Sequence, residues 1–334
     1  MTQCFVVVDA GPLASIMTNK YGCRVTTIVG AIVATAGLIL SIFAPNLYFL
    51  YFSFGVLPGI GFGLIYLPAI VSIGYYFEGK RAFATGLAVC GSGLGGFIFN
   101  PLTEFLIDSY DWRGTTLILG GIILNCVLCG AMFRPLESRA RVYQSASIPI
   151  SNPALSLDTV EICGCITLSD RLCPTLKQIF DFSLLKDVVF LMFGITSFFT
   201  NLGYYSPFIY LPDRAIDDGI SEDEAKWLVS ALGISTTVVK VLFGFVSNKP
   251  RVNKLMIYSS AVLMCGVSTA LSPLCFNYKL LILYSCVFGL FVGAYDLLTS
   301  LVLVDLLGIE MLTESFGLYL MIQGIAILIG PPIA

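Results

Sequence analysis

The sequence predicts an all-α, polytopic membrane protein made of two pseudo-symmetric sets of helices, about ten spans in all. Three observations carry that expectation. Hydrophobic residues make up 57% of the 334 and charged residues only 12%, about half the charge of an ordinary soluble domain, so the bilayer is the solvent for most of the chain. The apolar residues gather into uncharged runs long enough to cross a membrane, which takes roughly 20 residues. Short motifs of the first part also recur in the second part at a nearly constant offset.

The composition excludes several function classes. A net charge of -3 is too small for a polyanionic or polycationic partner, so nucleic-acid binding is set aside. Histidine is absent, which removes the commonest general base and metal ligand. Any proton carrier must then be a carboxylate, a lysine or an aromatic hydroxyl. Among the 11 cysteines, Cys90, Cys126, Cys129, Cys265 and Cys286 sit inside apolar runs and read as small buried hydrophobes. Cys163, Cys165 and Cys173 have no partners at zinc-site spacing. No cofactor, no metal and no enzymatic activity are expected.

In chain order, Met1 to Thr18 is apolar apart from Asp9 and barely long enough to span. It lacks the basic flank and cleavage site of a signal peptide and reads as a helix. No charge occurs between Arg24 and Glu78, and the break Ala44-Pro45-Asn46-Leu47 divides that stretch into two spans. Uncharged runs follow at 82–103, 114–133 and 188–212. Four more cover about 227–247, interrupted by Lys240; 255–276; 280–303, interrupted by Asp296; and 313–334. Within 82–103, Gly91 and Gly95, and Ser92 and Gly96, recur at helical spacing. That face is expected to admit another helix to backbone contact, although a generic membrane helix shows the same pattern.

Lysine and arginine orient the spans. One set of alternate connections holds Lys20, Arg24, Lys80, Arg81, Arg134, Arg139, Arg141, Arg171, Lys177, Lys186, Lys249, Arg251 and Lys254; the other holds only Arg113, Arg214, Lys226 and Lys279. The first set is therefore placed in the cytoplasm. The acidic loop from Asp213 to Lys226 falls outside, with Ser221 and Glu224 spaced for a capping box. Ten spans would leave both chain ends outside, so one helix is expected to be missing at each end. The predicted organisation is an N-terminal helical half over 1–133, a serine-rich cytoplasmic loop over 134–186, and a C-terminal helical half over 187–334. The halves repeat: SIMTNK at Ser15–Lys20 matches GFVSNK at Gly244–Lys249, ATGL ending at Leu87 matches SFGL ending at Leu318, and Pro101 matches Pro332. Such matches point to duplicated halves in parallel orientation.

At these residues the chain resembles the major facilitator superfamily. Ser15 to Arg24, SIMTNKYGCR, is similar to its loop between the second and third helices, with Asn19 where an aspartate usually stands. More narrowly, Tyr76, Phe77, Lys80, Arg81, Ala84, Gly86, Ala88 and Gly91 resemble the signature of the monocarboxylate transporter family. The turn Trp112-Arg113-Gly114, GIILNCVLCGAMFRP from Gly121, LPAIVSIGYYF from Leu67 and TNLGYYSPFIYLPDR from Thr200 agree with it. The resemblance covers the chain apart from Tyr143 to Cys173 and implies helices two to eleven of a twelve-helix, major facilitator-type bundle. Val304-Asp305-Leu306-Leu307-Gly308 and Gly330-Pro331-Pro332 resemble the less characterised members rather than the lactate carriers.

Lys240 is the sharpest single clue, because a lysine in mid-span costs several kcal/mol unless it is paired or faces a wet cavity. In the lactate carriers of the resembled family, the matching helix has an aspartate followed four residues later by an arginine, for the proton and the substrate carboxylate. Here those places fall on Thr236 and Lys240, one turn apart on one face. The cation survives without the arginine's fork; the acid does not. A pair between Lys240 and Asp296 that opens to admit a carboxylate is expected, with a structural ion pair as the alternative. Asn19, Lys20, Arg24, Lys80, Arg81, Asn248 and Lys249 read as inner-gate and topology residues, with Gly86 and Gly91 in the signature. Arg113 reads as a turn anchor more readily than as an attractor of anions. Tyr204, Tyr205, Phe208 and Tyr210 fit an interfacial belt and packing better than a path lining.

The resemblance implies a multi-pass plasma-membrane transporter, a symporter in the lactate carriers, moving monocarboxylates or related small carboxylate-bearing metabolites by alternating access. Loss of the acid at Thr236 leaves protons as an open partner. One alternative is a carrier without proton coupling for zwitterions such as creatine or carnitine, or for aromatic amino acids. Another is a truncated, non-transporting membrane protein. Membrane lipid is a partner in each case, and some family members need a single-span escort protein.

Overall fold

The structure is a computed structural model that describes residues 10–77, 79–133, 184, 186–249 and 252–333. Among these residues every regular element is helical, and nine helices are long and apolar enough to cross a membrane. They match the second to tenth expected spans. Residues 1–9 of the first span, Asp9 included, lie outside the described residues, as do the central loop as far as 183 and Cys163, Cys165 and Cys173.

Helix α1 is Gly11–Ile42, with Pro12 in its first turn. It is broken at Gly22, whose φ of 80° and ψ of 165° suit a residue without a side chain. The basic turn expected around Asn19 to Arg24 is thus a one-residue break. Pro45 follows α1 closely and stops it, as proline does beyond a helix end. Helix α2, Leu47–Tyr76, carries a π-helical turn at Tyr51–Val56 just before Pro58. Helix α3 is Arg81–Leu124, broken at Asp111 (φ 63°, ψ 168°), and α4 is Cys126–Ala131. Residues 104–110, expected to be loop, are helical, so Glu104 and Asp108 sit on the helix end before the Asp111 turn.

In the second half, α5 is Val188–Tyr204 and α6 is Ser206–Asp217. The single span expected over 188–212 is interrupted at Tyr205, because Pro207 cannot donate a backbone hydrogen bond; α6 also takes up part of the expected acidic loop. Helix α7 is Glu222–Val246, capped by Ser221, which accepts from Glu224 N at 3.4 Å and donates to Glu224 Oε2 at 3.0 Å. The expected box forms with the glutamate holding the serine hydroxyl. Helices α8, Lys254–Leu271, α9, Tyr278–Leu307, and α10, Leu312–Ile333, complete the fold.

The outside of the bundle is apolar: Phe105, Leu128, Met192, Phe199 and Leu263 are all exposed, as lipid-facing side chains must be. Many serine and threonine hydroxyls in the spans donate to a carbonyl of their own helix. Thr27 donates to Cys23 O at 2.9 Å and Thr200 to Thr196 O at 2.8 Å. The cysteine expectation holds for Cys90, which is buried, and fails for Cys129, which is exposed on a lipid-facing surface, with Cys126, Cys265 and Cys286 intermediate. An apolar environment is available to a thiol on either side of a membrane helix, so hydropathy does not tell them apart. The centre of the bundle is α9, packed against α7 and α8, while α10 lies against α5 and the first limb of α1.

Candidate functional site

Glycines set the position of the site. Helix α7 is held between α3 on one side and α9 on the other, and each crossing is close enough that a methyl group would not fit. A Cβ on Gly86 would lie 2.6 Å from Lys240 O and 3.0 Å from Gly244 Cα. On the other side, a Cβ on Gly293 would lie 2.7 Å from Thr236 O. Gly93 opposes Gly233 and Thr237 in the same way. The small-residue face of α3 is therefore Gly86 and Gly93. This corrects the expectation from spacing: nothing lies within 4 Å of a Cβ on Gly91, and Gly95 meets only Phe99 of its own helix. Residues 86 and 93 are two turns apart, a heptad repeat that also produces a stripe.

Helices α7 and α9 run parallel in register, Leu232 beside Gly289 and Thr236 beside Gly293. The next turn brings Lys240 to Asp296, with Nζ 3.0 Å from Oδ2. Across the other crossing, Nζ donates to Ser92 Oγ at 2.9 Å, and the Ser92 hydroxyl in turn donates to Val89 O. The lysine side chain is 4% exposed and the aspartate 23%. Tyr204 completes the group, its hydroxyl 3.0 Å from Asp296 Oδ1 and 2.9 Å from Oδ2. The ammonium thus holds one contact from each half of the chain, and the carboxylate is met by an ammonium and a phenol.

These residues line a cavity of about 610 Å³ bounded by α2, α3, α5, α6, α7, α9 and α10. That volume falls within the usual range for small-molecule sites. Lys240 and Asp296 are the charged residues on its wall, and Thr236 and Ser230 add hydroxyls. Much of the rest is aromatic, including Tyr66, Phe97, Phe208 and Phe316. At one end Gln323 donates to Asn201 Oδ1 at 3.1 Å, Asn201 donates to Tyr295 OH at 2.9 Å, and Tyr295 lies 3.3 Å from Tyr319. This chain of side chains ties α5, α9 and α10 together behind the cavity wall.

Of the residues singled out from sequence, the structure brings Lys240, Thr236 and Asp296 to one cavity. Asn19, Lys20, Arg24, Lys80, Asn248 and Lys249 are exposed at helix ends away from it. Arg81 donates to Gly74 O at 3.1 Å and so closes the turn between α2 and α3. Arg113 lies over the Trp112 ring at 5.3 Å, just after the Asp111 break, and does not enter the cavity. The aromatic cluster corrects the sequence reading: Tyr204, Tyr205 and Phe208 line the cavity, while Tyr210 is exposed and donates to Pro331 O at 2.7 Å. A belt and a cavity wall draw on the same residue types, and the fold decides between them. Ser92 and Gln323 were missed as site residues. An uncharged polar residue within an apolar run was the available signal for both. Lys254 and Asp305, also unforeseen as a pair, meet at 2.8 Å on an exposed edge.

Comparison with known proteins agrees with this architecture. The Major Facilitator Superfamily profile matches residues 4–331. Monocarboxylate transporter 12 of Rattus norvegicus is 34% identical over all of this chain and 69% of its own length. The chain belongs to the monocarboxylate transporter family. Monocarboxylate transporter 12 of Xenopus laevis is 35% identical over 97% of this chain and 70% of its own length, and monocarboxylate transporter 3 of Gallus gallus is 32% identical over 97% and 62%. The family's members are transporters rather than enzymes, and the nine apolar helices make this one a multi-pass membrane protein.

Proposed function

We propose that the protein is a plasma-membrane secondary transporter of monocarboxylates or related small carboxylate-bearing metabolites, with Lys240 as the residue that receives the carboxylate. The observation that carries this reading is the Lys240–Asp296 pair on the wall of a cavity of substrate size. A pair sealed inside the protein loses solvation on every side and offers a ligand no way to reach its charges. This one faces open space through Asp296. An incoming carboxylate can replace Asp296 at the ammonium, charge for charge, with Thr236 one turn away.

The placement of the contacts supports alternating access. The helical half over 1–133 supplies Ser92 and the half over 187–334 supplies Lys240 and Asp296, so rocking of one half against the other would make and break the Ser92 contact while the pair stays together. With threonine at 236, Asp296 is the acid left in the cavity to take part in any proton coupling. Membrane lipid surrounds the bundle, and a single-span escort remains a candidate partner for surface delivery.

A second reading is favoured by one specific feature. The cavity offers both signs of charge among aromatic faces, which suits a zwitterion such as creatine or carnitine: carboxylate to Lys240, cationic end to Asp296 and the rings. Uptake of labelled monocarboxylates, creatine and carnitine at pH 6 and pH 7.5 tests both. Saturable uptake of a panel member that is lost in Lys240→Ala and partly kept in Lys240→Arg supports the site. Faster uptake at pH 6 separates a proton-coupled carrier from a facilitative one. Uptake that is unchanged in Lys240→Ala would remove Lys240 from the mechanism.

A further inference from the structure

We propose that Tyr204 is a positioning residue that holds the Asp296 carboxylate in place when Lys240 turns to a substrate. This rests on the reading of the cavity as a carboxylate site. Asp296 has two partners in the structure, Lys240 at 3.0 Å and the Tyr204 hydroxyl, which lies within 3.0 Å of both carboxylate oxygens. No other charged residue lines the cavity among those described. A substrate carboxylate that engages the ammonium therefore takes the only cation from Asp296 and sets a second negative charge nearby. Without another donor the aspartate would compete for the ammonium, and the ion pair would exclude the ligand. The phenol provides that donor, and hydrogen bonds to a charged acceptor are roughly twice as strong as neutral ones.

The surroundings of Tyr204 suit a fixed donor. It is the last residue of α5, directly before the interruption at Tyr205, so its ring leaves the helix where the chain changes direction. The ring is stacked on Phe208 at 5.7 Å, meets Tyr205 edge-on at 4.8 Å and lies 5.9 Å from Tyr295. Phe208 rests in turn on Phe288 of α9, the helix that carries Asp296. The hydroxyl is thus aimed by packing on both sides, and Oδ1, which the ammonium does not take, is met by the phenol as well.

The test is a double-mutant cycle on the purified full chain. Lactate, pyruvate, creatine and carnitine are each used as probes, and the concentration dependence of the melting temperature gives an apparent Kd. Tyr204→Phe keeps the ring and its stacking and removes one oxygen. The expected result is an apparent Kd about tenfold higher than wild type, ~1.4 kcal/mol, for the probe that stabilises the wild type most. In the Asp296→Asn background the same substitution should change it less than twofold. In uptake assays Tyr204→Phe should raise KM and leave the maximal rate close to wild type. An equal effect in both backgrounds, or no effect on Kd, overturns the role of Tyr204 while the Lys240 site stands. Should no probe stabilise the wild type, or should Lys240→Ala leave the stabilisation unchanged, the carboxylate site itself falls and the role of Tyr204 with it.

Discussion

Removing one member of the Lys240–Asp296 pair, and then both, separates its energetic role from its functional one. The two single deletions leave unequal orphans. In Asp296→Leu the Lys240 ammonium, on a side chain 4% exposed, keeps only the Ser92 hydroxyl, and Tyr204 loses both its acceptor atoms. In Lys240→Met the carboxylate keeps the phenol and, being 23% exposed to the cavity, can also take water. Breaking a buried pair costs about 3–5 kcal/mol. Asp296→Leu is expected near the middle of that range, about 4 kcal/mol, and Lys240→Met at about 2, because a partly hydrated charge has lost less solvation. The double substitution removes both charges and should return to within about 1 kcal/mol of wild type, with transport still abolished. Denaturation of the detergent-purified protein reads the stabilities, and uptake in reconstituted vesicles reads the function. A larger loss for Lys240→Met than for Asp296→Leu, or a double variant less stable than either single one, would refute this account of the site.

Two further outcomes follow from local geometry. Gly86→Ala places a methyl 2.6 Å from Lys240 O and should destabilise by about 1–3 kcal/mol through overpacking, whereas Gly91→Ala meets nothing within 4 Å and should be neutral or gain about 0.5–1 kcal/mol from helix propensity; melting temperatures of the two variants compare them directly. At the α3 break, Asp111 has a φ of 63° and its Oδ1 accepts from Trp112 N at 2.9 Å. Asp111→Val should lose about 1–3 kcal/mol to backbone strain while Asp111→Gly stays near wild type, again by melting temperature.

The fold was legible because lipid imposes long apolar runs, and charge marks where they end. The breaks were legible only in part. Pro45 and Asn46 announce the turn between α1 and α2, but Gly22 and Asp111 break their helices at single residues with positive φ, and the sequence around them reads as ordinary loop. The 104–110 stretch differs from expectation because Glu104 and Asp108 read as the end of a span, although a helix longer than the bilayer carries its charges into the interface. Lys240 and Asp296 stood out for the reason that makes them functional candidates: a charge in mid-span is too costly to be incidental. Ser92, Asn201 and Gln323 cost little to bury when paired, so an uncharged polar residue in an apolar run is a far weaker signal than a charge. Tyr204 is harder still, since one tyrosine among Tyr205, Phe208 and Tyr210 differs from the rest only by where its helix ends.

The location of the pair relative to the two halves supports the proposed mechanism. Had Lys240 met an acid on α3, opening the cavity would separate two full charges, a cost that a carrier would meet in every cycle. Here both charges lie on α7 and α9, whose parallel register keeps Thr236 beside Gly293 and Lys240 beside Asp296, and among the described residues the pair's hydrogen bond to the other half is the one to the neutral Ser92 hydroxyl. A neutral hydrogen bond is worth about 0.5–1.5 kcal/mol net and one to a charged group about 1.5–3, which is small enough to be broken and remade as the halves move. The glycines of α3 serve the same end. Gly86 and Gly93 let α3 lie against α7 with little side chain between them, so the helices can shift without unlocking interdigitated residues. On the proposed reading, the charged pair would then stay intact in the empty cavity and yield to a ligand that carries a carboxylate of its own.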